Sequence, residues 1–312
     1  MIAISVPIRL SDPYIIGRIG NAFACLYWAD KMKTDNVAAI TMVYGDAFIE
    51  KWVEHYAAQV GRSNLFVISH GDNPLHRQVC EGLNHIVLPR VFDATFENAR
   101  ANLINRFANG LLSVYRAVIF TDVDEFISVD PSRDQTLGAY LRSLDTKVVA
   151  PVAFNVLADD GSQDIDWTRP ILEQANIMRY APFFCKPCIR FEPVEHNWGA
   201  HALKNSGTFE VDPNLLMFHL KYIDAKLWGR YSALETEMNE ETRSAAGMAG
   251  WQRSDVKRMN AYRRIMDGLE ELDPRHAVEG RTEVERVRNV CRVKRDQRRP
   301  DFRLPAKYRH LV

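Results

Sequence analysis

Short apolar runs, separated by stretches of helical period, constrain this chain more than any other feature. Ala38–Tyr44 (AAITMVY) stops at Gly45-Asp46, Leu65–Ser69 at His70-Gly71-Asp72, and His85–Leu88 forms a shorter third run. Ala117–Thr121 (AVIFT) runs straight into Asp122-Val123-Asp124-Glu125, and Val148–Phe154 follows. Runs this short without polar alternation read as strands buried on both faces. Between them, Phe48, Trp52, Tyr56 and Val60 recur every four residues up to Gly61, and Phe96 to Leu112 is again helical in period. Each such stretch presents one apolar helix face to a sheet. Strands alternating with helices predict βαβ units with right-handed crossovers. The fold class is therefore α/β, with a mainly parallel, Rossmann-like sheet flanked by helices.

Past about residue 155 the pattern loosens. Pro170–Pro193 and Thr208–Tyr222 read as antiparallel strands and loops beside the sheet, and Leu227–Ala245 and Val256–Leu272 as helices. The expected organisation is an N-terminal extension or cap over 1–37, the α/β domain over 38–225, and a C-terminal helical segment with a basic tail over 226–312.

Charge and cysteine usage narrow the function classes. Forty basic residues balance forty acidic ones, which argues against a general nucleic-acid binder. From Arg281 onward, eleven basic residues face four acidic ones, a net +7 that leaves a mildly acidic body. No apolar run is long enough to span a bilayer and no secretory signal pattern opens the chain, so a cytoplasmic protein is expected. Five irregularly spaced cysteines fit reduced thiols. Cys185-Lys186-Pro187-Cys188 is a lone pair that cannot complete a four-ligand zinc site, and it reads as packing.

Ligands of open α/β sheets bind at the carboxyl ends of the strands. Three such ends carry acids or turns: Tyr44-Gly45-Asp46, His70-Gly71-Asp72 and Asp122-Val123-Asp124. Two carboxylates two residues apart at a turn can reach one divalent cation, and hard oxygens favour Mg²⁺ or Mn²⁺ on a substrate's phosphates. The competing reading is a turn with solvated acids. There is no GxGxxG after the first strand, no GxxxxGK[ST] and no GxSxG. Their absence disfavours a dinucleotide fold, a P-loop enzyme and an α/β-hydrolase.

Several segments in order resemble a family-two-like glycosyltransferase of the GT-A fold. They are Val43-Tyr44, Trp52-Val53-Glu54-His55-Tyr56, Leu65 to Asp72, and the DxD segment Phe120-Thr121-Asp122-Val123-Asp124-Glu125-Phe126. Lys186-Pro187-Cys188-Ile189-Arg190, Gly199-Ala200-His201 and Phe218-His219-Leu220-Lys221-Tyr222 extend the likeness over residues 38–225. The resemblance implies a GT-A sheet with antiparallel acceptor-side strands and C-terminal helices. It also implies sugar transfer, with inversion, from a UDP- or GDP-linked donor to a saccharide or glycolipid acceptor. Asp124 would bind Mn²⁺ or Mg²⁺ on the diphosphate, with Asp122 beside the ribose and the metal, and His219 completing the metal or phosphate site. Tyr44 and Asp72 match positions that hold the base and ribose, and Val43, Lys186, Trp198 and His201 join the substrate-binding set.

Such a transfer needs a base for the acceptor hydroxyl. Candidates lie in Asp159-Asp160-Gly161 and Glu195-His196-Asn197-Trp198, of which Asp160 is favoured. Other readings stand beside these. His219 sits in an apolar run that suits a core histidine, and Trp198 suits either a sugar face or the core. Arg292, Lys294, Arg295, Arg298 and Arg299 could meet the diphosphate or the surface of an anionic membrane, or remain a solvated tail. A haloacid-dehalogenase-type phosphatase would use Asp122 as nucleophile and Asp124 as acid, usually after the first strand. A non-catalytic nucleotide-sugar-binding module is the third reading.

Overall fold

The computed structural model of the chain describes residues 33–45, 47–157, 164–205, 207–224, 268–295 and 300–312. A mixed ten-stranded sheet is flanked by helices, an α/β arrangement compatible with a Rossmann-like fold. Its parallel half consists of β1 (Val37–Val43), β2 (Leu65–His70), β3 (Asn84–Leu88) and β4 (Ala117–Phe120), in the spatial order β4-β1-β2-β3. Helix α1 (Ile49–Val60) follows β1, α2 (Pro74–Val79) follows β2, and α3 (Phe96–Leu111) joins β3 to β4.

Alternate residues of β1 serve two layers. Val37, Ala39 and Val43 share a core with Trp52, Val53 and Tyr56 of α1, whereas Ala38 and Ile40 share one with Ile104 and Ala108 of α3. Burial on both faces explains the unbroken apolar runs. Each fully buried Val, Ile or Phe in these layers contributes about 1.5–3 kcal/mol.

After β4 the chain turns at Asp122–Asp124 into β5 (Glu125–Val129), and α4 (Leu137–Arg142) leads on to β6 (Val148–Leu157). Next come α5 (Ile171–Gln174), β7 (Ile177–Tyr180), β8 (Ile189–Arg190), β9 (Leu203–Lys204) and β10 (Glu210–Tyr222). Strand β8 lies between β4 and β6, antiparallel to both. Strand β10 is antiparallel to β5, as expected of Thr208–Tyr222, but parallel to β6. Parallel pairing requires a long crossover, and the excursion through β7, β8 and β9 supplies it.

The described part of 226–312 departs from the expected helical segment. A single-turn helix, α6 (Pro274–Ala277), precedes β11 (Val284–Val287), β12 (Val290–Val293) and β13 (Asp301–Arg303). Val284–Val287 pairs antiparallel with Val290–Val293, whose burial alternates, around a turn where Arg288 has φ 54°, which builds a hairpin and not a 3.6-residue helix. Strand β12 continues onto β9, and β13 joins the large sheet beside β7, where Arg179 and Asp301 pair at 2.5 and 2.8 Å. This segment is therefore part of the same packed body as the sheet. Leu227–Ala245 and residues 256–267 lie outside the described residues, as do residues 1–32. Among the described residues, no helix is long and apolar enough to cross a membrane.

Helix α1 fixes the hinge between β4 and β5. Trp52 Nε1 donates to Thr121 Oγ1 at 2.9 Å. The Tyr56 hydroxyl donates to the Glu125 carbonyl (3.1 Å) and accepts from Ile127 N–H (3.0 Å). Tyr56→Phe strands both backbone groups in the core and should cost about 1–3 kcal/mol, measured by urea unfolding. An unchanged unfolding midpoint would show that the hinge does not depend on this hydroxyl.

Candidate functional site

Strand order in the parallel half reverses between β1 and β4. The crevice at such a reversal is where open α/β sheets take their ligands, and here the reversal lies between the end of β1, followed by Tyr44, and the end of β4, followed shortly by Asp122.

Two strand registers furnish the residues around it. Strand β8 runs against β4 with Val118 opposite Arg190 and Ile119 opposite Ile189, so position 186 falls opposite position 122. Lys186 is accordingly buried with Nζ 2.9 Å from Asp122 Oδ2 and 2.5 Å from Glu125 Oε1. The other Asp122 oxygen is paired with Arg100 of α3, which also lies 3.8 Å from Glu97. On the far side, β10 sets His219 opposite Glu125 of β5 and Asn155 of β6. Residues directly opposite share a face of the sheet, so Glu125, His219 and Asn155 form one row, with Asp124 at its end.

Burial opposes every charge in this cluster, and the partners decide which survive. It pushes the Asp122 carboxyl up, but Lys186 and Arg100 outweigh it and hold that carboxyl far below its usual range. Burial also raises the Asp124 carboxyl, yet His219 beside it brings it below the ordinary value. Glu125 goes the other way: burial raises it, the neighbouring Asp122 and Asp124 charges add to the rise, and Lys186 only partly offsets them.

Asp124, Glu125 and His219 each offer one ligand atom, all within 4.8 Å of one another, so this group could hold a metal ion. The set differs from the expected Asp122, Asp124 and His219. Asp122 is engaged on both oxygens by protein cations, and Glu125 takes its place. His219 Nδ1 faces Asn155 Oδ1 at 2.7 Å, and Nε2 lies 3.5 Å from Asp124 Oδ2. Donation from Nδ1–H to the amide oxygen leaves a lone pair on Nε2 facing a carboxylate. Such a contact calls for a proton or a cation between the two atoms.

The remaining expected residues divide into two groups. His201 reaches the cluster: its ring lies on Phe183 (3.8 Å between centroids) and edge-on to Phe184, which stacks on His219 at 4.0 Å. Burial, and then Lys186, hold His201 well below its ordinary pKa, and its Nδ1 bonds the Phe183 carbonyl. Tyr44 is 47% exposed beyond β1, with the Arg90 guanidinium 3.7 Å over its ring. Trp198 is half-exposed and donates to Asn98 Oδ1 at 2.7 Å.

Val43, in contrast, belongs to the core and presents no side chain to a ligand, because its strand position faces α1. Asp72 is exposed past β2 and paired with Arg77. His196 is buried with both ring nitrogens engaged, which removes it as a base for an acceptor. Asp160 lies outside the described residues. In the tail, Arg292 pairs with Glu285 (3.0 Å), Lys294 with Glu283 (3.2 Å), and Arg295 lies over Phe183, so these three cations are committed internally. Arg298 and Arg299 lie outside the described residues.

Four residues of the candidate site escaped the sequence reading: Glu125, Arg100, Asn155 and Arg90. A lone Asn in the apolar run VVAPVAFNVL, and a Glu opening EFISV, were the available signals. No protein-family model matches the chain, and no curated protein shows significant similarity to it.

Lys186→Met leaves the buried Glu125 without its cation, while Asp122 keeps Arg100, and should destabilise by about 3–5 kcal/mol where Glu125 is ionised. Glu125, already raised to about 8 by burial and the neighbouring carboxylates, rises further without that cation, whereas Arg100 still pairs with Asp122. The Glu125 contribution is then fully present below its unfolded value and is lost as pH rises through the folded one. The deficit against wild type should therefore shrink as pH falls from about 8 to about 5, read from urea midpoints. A deficit that does not change with pH would assign Lys186 a packing role only.

Proposed function

We propose that the chain is a glycosyltransferase of the GT-A type, taking a sugar from a nucleotide diphosphate to a saccharide or glycolipid acceptor. The observation that carries this reading is the Asp124–Glu125–His219 group after β4, at the β1/β4 reversal of strand order. Two carboxylates and one imidazole, the latter oriented by Asn155, fit Mn²⁺ or Mg²⁺. A bound cation there supplies Lewis-acid neutralisation of the departing nucleotide diphosphate.

The protein's own groups do the rest. Tyr44, backed by Arg90, offers a flat surface to a base. Lys186 and Arg100 anchor Asp122 at the turn, keeping Asp124 and Glu125 in register with His219. His201 and Phe184 close the cluster on the side of the β8–β9 loop. Asp160 remains the proposed base for the acceptor hydroxyl.

A phosphatase with Asp122 as nucleophile has less support. Both oxygens of that carboxylate are paired, and the acid pair follows the fourth strand instead of the first.

Thermal unfolding with UDP- and GDP-linked sugars, in Mn²⁺ and in EDTA, tests the reading. A metal-dependent rise for one nucleotide class, lost in Asp124→Asn, is expected. No rise with any donor, or an equal rise in EDTA, would overturn it. Binding without sugar release to any acceptor would point to a non-catalytic module, and a trapped aspartyl-phosphate on Asp122 to the phosphatase.

The orienting role of Asn155 has its own check. Asn155→Ala should weaken Mn²⁺ binding by roughly 10- to 100-fold in calorimetry while leaving the fold intact. Unchanged affinity would remove His219 from the metal site.

A further inference from the structure

Three polar side chains around the end of β2 take no part in the chemistry above. Ser69 of β2 is completely buried, and its register partners are Val43 of β1 and Val87 of β3. Its hydroxyl oxygen lies 2.9 Å from Nδ1 of the buried His76 on α2 and 2.8 Å from Nε2 of the half-buried His85 on β3. His76 Nε2 in turn lies 2.8 Å from the Gly45 carbonyl. One chain of hydrogen bonds therefore runs from β3 through β2 and α2 to the turn after β1.

Proton counting fixes the state of that chain. A carbonyl only accepts, so His76 Nε2 carries a hydrogen. A hydroxyl has one proton to give, so of the two ring nitrogens facing Ser69, one brings a hydrogen and the other a lone pair. In the neutral pair Ser69 donates to His76 Nδ1 and accepts from His85 Nε2–H. An added proton fits at His85 Nδ1 with every bond kept, or at His76 Nδ1 with the hydroxyl reversed toward His85. A second does not fit, because two ring N–H groups and the hydroxyl proton would then crowd two contacts.

The surroundings act in the same sense. Burial, and then His76 and Arg77, hold the His85 imidazole below its ordinary value, with Asp72 opposing them. Arg77 of α2 and Asp72 of the turn after β2 pair with each other, and Val43 and Val87 beside Ser69 are uncharged.

We propose that Ser69, His76 and His85 form an acid-sensitive latch between β3 and the β2–α2 unit, which holds one added proton and releases His85 when a second arrives. His85 is the ring that leaves, since it is half-buried whereas His76 is enclosed. In the unfolded chain both imidazoles ionise near about pH 6.5 and take two protons. The folded state binds one fewer, so the stability present at neutral pH is lost as pH falls below about 6. The released strand leads on to Arg90, whose guanidinium lies 3.7 Å over the Tyr44 ring, so acid reaches the candidate site through β3.

The test compares the full chain with His85→Gln, which keeps an N–H donor for Ser69 but cannot ionise, by urea unfolding from about pH 8 to about pH 5. Wild type should lose stability relative to the variant, approaching about tenfold in the folding constant per pH unit. Nitrogen-15 NMR of the wild-type histidines should show both rings with the hydrogen on Nε2 in the neutral pair, and one proton taken up by the two together. That readout stands even if the variant fails to fold, and neither measurement depends on a nucleotide donor. Parallel pH profiles for the two proteins, a neutral His76 with its hydrogen on Nδ1, or independent titration of both rings in the folded protein at ordinary histidine values would each overturn the proposal.

Discussion

Asp122, Asp124 and Glu125 fall within four consecutive residues, the first partly buried and the other two buried, so each negative charge must meet a cation or a proton. Lys186 and Arg100 meet Asp122, His219 meets Asp124, and Glu125 leans on Lys186 while burial favours its neutral form. These partners come from the segment before β8, from α3 and from β10, far apart in sequence. A one-residue slip of β10 against β5 would turn His219 to the opposite face and leave buried carboxylates unmatched. Charge compensation and strand register therefore select each other.

That compensation also distinguishes the acids of the turn. A carboxylate bridged on both oxygens by an ammonium and a guanidinium has little left to offer a divalent ion, so the first acid of the DxD pair works as an anchor. The second acid lies 3.5 Å from His219, whose Nδ1 is 2.7 Å from Asn155. In this chain a DxD pair thus separates into one residue that holds the turn and one that belongs to the candidate metal group.

The parallel half was legible because its signals are local. β1, β2 and β4 are apolar runs, α1 shows its period in Phe48, Trp52, Tyr56 and Val60, and Gly61 ends it at φ 91°. The site was legible only where a short motif marked it, as at Asp122 and Asp124. Arg100 looks like any helical arginine, and only the packing of α3 beside β4 makes it a partner of Asp122. Glu125 read as the first residue of a strand, because nothing local shows that β10 will set a histidine opposite it. The tail was misjudged for a related reason. Its basic residues are dense enough to suggest a free cationic segment, but Val284–Val287 and Val290–Val293 pair as a hairpin whose acids absorb Arg292 and Lys294.

Helix α3 links the two sides of the site in a way its composition conceals. Asn98, Asn105 and Asn109 lie seven and eleven residues along one stripe, which an isolated helix would give to solvent. Here the stripe holds the loop after β8. Asn105 and Asn109 each accept from and donate to one backbone position, at His196 and Val194, as a neighbouring strand would. Asn98 receives the Trp198 indole N–H. From between these amides, Arg100 reaches to Asp122. One helix thereby sets both the anchored acid of the turn and the loop that brings Trp198 and His201 alongside it, so a shift of α3 would displace both sides together.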